Sequence, residues 1–183
     1  MSGITRSSYN KEERVTKGIP VIDTNHAQIH DANAFSIGGV FTIAGGATLD
    51  ITVQVPAATY VHYQATDIST NGGNSVTVVF YEGATVTTGG TAITPVNRHR
   101  LGTPPASVLT VKQGATITGT GTEVDRWYFP KSSTNQIQNS ISKSDSNEWV
   151  LNPSTAYLLR FTNAATDAVI VSVRPFWYEE DGA

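Results

Sequence analysis

The chain has 183 residues, no cysteine, a formal net charge of −3 and only 15% charged side chains. That balance excludes a disulfide framework and a thiolate metal site, and it lacks the strongly basic footprint of a nucleic-acid binder. Hydrophobic residues make up 39%, too many for a disordered chain, and the length suits one domain with a core of its own.

Residues 1–34 differ from the rest of the chain. Residues 2–17 are polar, with mixed charge at Lys11, Glu12, Glu13, Arg14 and Lys17. They read as an extended arm with room for a helical turn. Within that arm, Ile19, Val21 and Ile22 around Pro20 form an apolar segment suited to docking on a neighbouring subunit. The N-terminus has no apolar core of the signal-peptide kind. No apolar run approaches the roughly 18 residues of a membrane-spanning helix, so synthesis in a cytoplasm and no membrane partner are expected.

From Phe35 to the end the pattern is that of strands. Residues 40–43 make a short one, closed by Gly45 and Gly46. In 48–55, Leu49, Ile51, Val53 and Val55 share one face and Thr48, Asp50, Thr52 and Gln54 the other. This is the alternation of a sheet with one wet face. Pro56 stops it. Residues 59–69 and 75–81 flank Asn71-Gly72-Gly73-Asn74, a turn signal that predicts a hairpin. Residues 82–105 are rich in Gly, Thr and Pro and predict long connections with short strands at most. Residues 108–111 and 115–118 flank Lys112-Gln113-Gly114, which predicts a second hairpin. Residues 131–147 are polar and predict an exposed loop. Three closing strands complete the chain: a short one at 148–151, then 155–162 and 168–178, with turns at 152–154 and 163–167. Pro175 in the last predicts an edge or a bend.

Many short strands, turn residues between them and uneven connections predict an all-β antiparallel sandwich of jelly-roll or Greek-key type, with residues 1–34 as the arm and 35–183 as the domain.

Catalytic constellations are thin. His26 and His30 are four apart, with Asp23 and Asp31 nearby; on a helix both imidazoles would share a face. The zinc-protease pattern needs Glu after the first His, where this chain has Ala27, so no metal or cofactor is expected. His62 and His99 lack a G-x-S-x-G elbow or an oxyanion-hole motif to work with, so no enzyme is expected. The paired glycines precede neither Lys-Ser/Thr nor a helix and read as turns. Arg98 and Arg100, flanking His99, form the one dense cationic cluster, suited to an acidic partner surface. The late aromatics, Trp127, Tyr128, Phe129, Trp149, Trp177 and Tyr178, read mainly as core, and an exposed pair would suit glycan stacking.

Three stretches carry a resemblance. They are Val79-Phe80-Tyr81-Glu82-Gly83 followed by Gly90-Thr91 and Asn97-Arg98-His99-Arg100; the run from Asn152-Pro153-Ser154-Thr155 through Tyr157-Leu158-Leu159-Arg160 to Asn163; and the closing Phe176-Trp177-Tyr178-Glu179. In this order, over about residues 20–180, the chain resembles a family of small virion structural proteins encoded in tailed-phage head-gene clusters. The resemblance implies a jelly-roll-like homotrimer that decorates or cements the outer capsid surface, with the major capsid protein as partner, assembled in the host cytoplasm. It carries no catalytic residues. The expected contacts are Ile19, Val21 and Ile22 on the arm and Arg98 and Arg100 on the domain. The alternative is a head-fibre or tail module that binds a receptor glycan.

Overall fold

A computed structural model describes residues 24–71, 73–131 and 148–181. One short helix, α1 (Thr24–His30), precedes twelve strands: β1 (Ala34–Ser36), β2 (Gly39–Ile43), β3 (Thr48–Gln54), β4 (Thr59–Thr70), β5 (Val76–Glu82), β6 (Thr85–Ala92), β7 (Val96–Asn97), β8 (Thr110–Gly119), β9 (Thr122–Phe129), β10 (Trp149–Leu151), β11 (Ala156–Asn163) and β12 (Val169–Asp181). All pairings are antiparallel.

The strands form two sheets. One runs β10-β4-β12-β1-β7, with β2 also paired to β12; the other runs β6-β8-β3-β11-β5-β9. Set β6, β7 and β8 aside, and each sheet keeps four strand positions: β1/β2-β12-β4-β10 and β3-β11-β5-β9. The chain changes sheet between β2 and β3, β3 and β4, β4 and β5, β9 and β10, β10 and β11, and β11 and β12. That path is the jelly roll, and the fold is an all-β antiparallel sandwich of that type.

Alternation explains the core. Ile51, Val55, Val76, Val78, Leu159 and Phe161 from one sheet meet Val61, Ile68, Val169, Val171 and Val173 from the other, all buried. Each such side chain contributes roughly 1.5–3 kcal/mol by leaving water. Tyr63, Phe80 and Tyr157 stack in series across the gap, with centroids 5.3 and 5.6 Å apart. β4 is twelve residues long and changes phase on the way: Ile68 and Thr70 point inward at one end, Val61 and Tyr63 at the other. A bulge opposite Phe176 and Trp177 supplies the extra residue that keeps both halves facing the core.

Two expected hairpins are not hairpins. β4 and β5 lie in opposite sheets, so the chain turns a corner between them. Turn residues announce a reversal but not which sheet receives the next strand. Lys112-Gln113-Gly114 lies inside one strand, β8, which bends at Gly114 (φ +64°), pairing with β3 over Thr110–Gln113 and with β6 from Lys112 onward. Residues 82–105, expected to hold short strands only, contain the eight-residue β6. Pro175 is also not on an edge, because β12 is central. β2 pairs with β12 up to Val173 and β1 pairs from Phe176. The N–H and C=O of a strand residue point to the same neighbour. The missing donor of Pro175 therefore faces the break between β1 and β2, where its carbonyl accepts the Ile37 N–H at 3.3 Å. Residues 24–34 of the expected arm lie against the sandwich; the part before Thr24 is outside the described residues, as are 132–147 of the expected polar loop.

The helix ends in a Schellman motif. The Asn33 N–H bonds the Gln28 carbonyl (3.0 Å) and the Ala32 N–H bonds the Ile29 carbonyl (3.2 Å), with Ala32 left-handed at φ 61°.

The corners at one end are locked by two asparagines. Asn163 is fully buried. Its amide donates to the carbonyls of Ile43, Ala44 and Asp167, and its side-chain oxygen accepts from the Ala165 N–H. Asn74 donates to the Asp167 carbonyl at 2.8 Å. Gly45 completes the contact: a Cβ there would lie 1.8 Å from the Thr166 carbonyl oxygen. Asn163→Ala leaves buried carbonyls without donors and should lower unfolding stability by about 3 kcal/mol. Chemical denaturation with an unchanged m-value checks this. A loss under about 1 kcal/mol would show that the corners hold without it.

Candidate interaction surface

The segment from Arg98 to Leu109 bulges from the sandwich as a loop with both ends fastened. At its start, Asn97 is buried. Its amide donates to the carbonyls of Ala32 (2.7 Å) and Pro105 (3.1 Å), and its side-chain oxygen accepts the His99 N–H (2.9 Å). At its end, Glu179 of β12 accepts from the Ser107 hydroxyl (2.5 Å), the Val108 N–H (3.0 Å) and the Trp177 indole (2.8 Å). Leu109 then enters the core. Pro104 and Pro105 stiffen the middle, and Gly102 makes a left-handed turn (φ +67°).

What the loop displays is apolar and cationic. Leu101 is 78% exposed, and Val108 and Val96 are also exposed. Arg98 and Arg100 flank the approach to Leu101 and are both exposed. The Arg98 guanidinium sits 5.3 Å from the centre of the Phe176 ring, which fixes its position on the sheet face while leaving its charge outward. Of the contacts expected from sequence, the structure therefore brings Arg98 and Arg100 together on one fastened loop. Ile19, Val21 and Ile22 lie outside the described residues.

The histidines fall in separate places. His62 on β4 stacks on Tyr178 with centroids 4.3 Å apart and meets Glu148 through Nδ1 at 2.5 Å; its Nε2 lies 3.6 Å from Glu180. Gln64 and the Tyr178 hydroxyl also donate to Glu148, and Gln28 of α1 donates to Glu180 at 3.0 Å. The cluster joins α1, β4, β12 and the entry to β10. Partial burial pushes the Glu148 carboxyl up, but the hydrogen bonds from His62 and Gln64 and the charge of His62 outweigh it, so the net direction is below the ordinary carboxylate value. At the same end of the sandwich, Tyr157 donates to Glu82 and accepts the Asn152 N–H, while Asn152 also bonds Glu82. Burial and the Glu82 charge push the Tyr157 phenol up to about 12, against the opposing Asn152 amide.

A groove of about 220 Å³ lies against β3, lined by the polar Thr52, Gln54, Thr87, Thr88, Thr110 and Lys112 and by Val53, Val86, Gly89 and Ala156. It exists because β6 bulges: Val86 faces Ile117 and Gly89 faces Ala115, so Thr87 and Thr88 share the space opposite Thr116. The aromatics expected in the core divide. Phe129, Trp177 and Tyr178 are buried, whereas Tyr128 is 65% exposed and Trp149 is partly so.

No sequence signal marks Leu101 or Glu148, and Asn97 is named only within a stretch that carries the resemblance. Glu179 to Asp181, which read as a solvated acidic tail, instead end β12, with Glu179 accepting three hydrogen bonds. Glu148 and His62 are 86 positions apart, and only strand pairing joins them. No protein-family model matches the chain, and no curated protein does.

The Glu148 network has a pH signature. A carboxyl held below its unfolded value of 4.5 adds stability above that value and loses it as pH falls through the folded value. Glu148→Gln should therefore flatten the acid limb of a melting-temperature profile below about pH 4.5 and lower stability at neutral pH. An acid limb identical to wild type would remove Glu148 from the account.

Proposed function

We propose that this chain is a structural protein of a tailed-phage virion: a homotrimeric jelly-roll module that decorates the outer capsid surface and cements it by bridging major capsid protein subunits. It does so without catalysis. The observation that carries the reading is the fastened loop at 98–109. A large apolar side chain, Leu101, is presented to solvent next to two cations in sequence, and the ends of the loop are held by Asn97 and Glu179. Ordering a loop on binding costs free energy; a loop already ordered does not incur that cost again. Burial of Leu101 in a partner pit contributes roughly 1.5–3 kcal/mol, and Arg100 favours an acidic rim. Repetition of a modest contact over a symmetric shell multiplies its effect. The resemblance of the Tyr-Glu-Gly, Asn-Arg-His-Arg and Trp-Tyr-Glu stretches to phage head proteins supports the same reading. The arm, through Ile19, Val21 and Ile22, would add a second contact with a neighbouring subunit.

The threonine-lined groove favours a second reading, a head-fibre or tail module that binds a glycan, since hydroxyls, an amide and Lys112 suit a polar ligand. A glycan array probed with the purified protein separates the two.

Sedimentation with undecorated capsids tests the first. Wild type should saturate at a stoichiometry compatible with shell symmetry. Leu101→Asp with Arg100→Glu should weaken binding at least tenfold, while the melting temperature stays within a few degrees because both side chains are exposed. Unchanged occupancy by the double variant would overturn the assignment of this loop. A wild-type protein that ignores capsids would overturn the decoration role.

A further inference from the structure

We infer that His26 and His30 form a bidentate site for a divalent transition-metal ion of the nickel, copper or zinc kind. The two residues lie one turn apart on α1, and their Nε2 atoms are 2.9 Å from each other. The ring centroids are 4.6 Å apart and the planes are tilted by 56°. Two nitrogens bound to one ion at roughly 2.05 Å and at a right angle stand about 2.9 Å apart; a tetrahedral angle would need about 3.3 Å. The separation is a hydrogen-bond distance in the metal-free pair, and it is compatible with neighbouring corners of a tetragonal or octahedral shell, the geometry of Cu(II) and Ni(II) with imidazole. Zinc would require a small opening of the pair.

The helix is held so that this face stays outward. Gln28 lies about 200° around the helix from either histidine. It is buried, donates to Glu180 at 3.0 Å and accepts from the Asn33 amide at 3.2 Å. The Schellman motif fixes the end of the helix directly after His30. With the opposite face docked and the C-terminus capped, the two exposed rings need little reorganisation to chelate. In the metal-free protein the two Nε2 atoms lie within hydrogen-bond distance of each other. Chelation uses the neutral rings with their protons on Nδ1, so that both Nε2 lone pairs point at the ion. Among the described residues no third His, Asp or Glu side chain gathers with them. Ala27 occupies the place where a hydrolytic metal site would carry a general base, so the site binds without hydrolysing.

The test uses the untagged, chelator-stripped full chain, titrated calorimetrically with NiCl2 and with CuCl2. One ion per chain is expected. His26→Ala and His30→Ala, each leaving a single imidazole, should weaken it at least tenfold, and His99→Ala should not. The Cu(II) spin-resonance spectrum should show coupling to two equivalent nitrogens in wild type and one in either variant. Both substitutions fall on exposed side chains, so unchanged melting curves for the variants confirm that a lost site is not a lost fold. Wild-type affinity in both variants, or no binding at millimolar metal, would overturn the proposal and leave a hydrogen-bonded pair only.

Discussion

Asn163 offers no surface to water, and its amide serves three backbone carbonyls from two different corners of the sandwich. The constraint behind this comes from the topology. A chain that keeps crossing between sheets must turn through corners whose carbonyls have no ladder partner. Buried carbonyls without donors cost about 1–3 kcal/mol each. A primary amide has two donors and a short stem, so it can reach backbone from neighbouring turns where water cannot. Asn163 does this for the β2–β3 and β11–β12 corners, and Asn74 ties in the β4–β5 corner. Asn97 applies the same solution to the long excursion between β5 and β8.

Those corners set the strand registers, and the registers account for the local irregularities. β12 is central, so its whole length must be matched on both sides. On one side the twelve-residue β4 does this alone and needs a bulge to keep its apolar face inward. On the other, β1 and β2 share the task, and the break between them absorbs the missing donor of Pro175. A proline in a central strand, forbidden in a regular ladder, becomes tolerable because the neighbour is interrupted there.

Alternation disclosed where most of the strands lie. β3, with Leu49, Ile51, Val53 and Val55 on one face, is where it was expected, and so are β5, β11 and the start of β12; but Thr52, expected on the wet face, is buried, and β9 was not anticipated. The two-sheet class followed from counting such strands. Connectivity was less accessible. Asn71-Gly72-Gly73-Asn74 has the composition of a hairpin loop, yet Asn74 is fastened to the carbonyl of Asp167, about ninety positions away, and so directs the chain into the other sheet. Gly114 reads as a turn but only bends β8. The His26–His30 relation was visible as spacing, but whether the segment was helical depended on Gln28 finding Glu180 at the far end of the chain. Leu101 carried no signal, because a lone apolar residue in a loop looks the same whether it is buried or displayed.

The polar groups of the domain divide by what surrounds them. Glu148, Glu179, Glu82 and Asp50 each meet partners within the chain; Asp50, for instance, holds Arg160 in a two-point contact at 2.7 Å across the face of the β3–β11 pair. Such groups are already satisfied, and removing them from their partners would be costly, so they are poor places for a ligand to compete. The loop at Leu101 and the helix face at His26 and His30 are different. In each, buried amide contacts of Asn97 or Gln28 hold the backbone from beneath while the outward side chains stay exposed to water. A rigid base under an accessible group is the arrangement that lowers the entropic cost of binding. It is found here at surface points beside the α1–β1 turn, whose Ala32 and Asn33 contact Asn97 and Gln28 respectively. The same turn thus braces both places, and the strain of a left-handed alanine at its centre is maintained by the helix cap on one side and the Asn97 amide on the other.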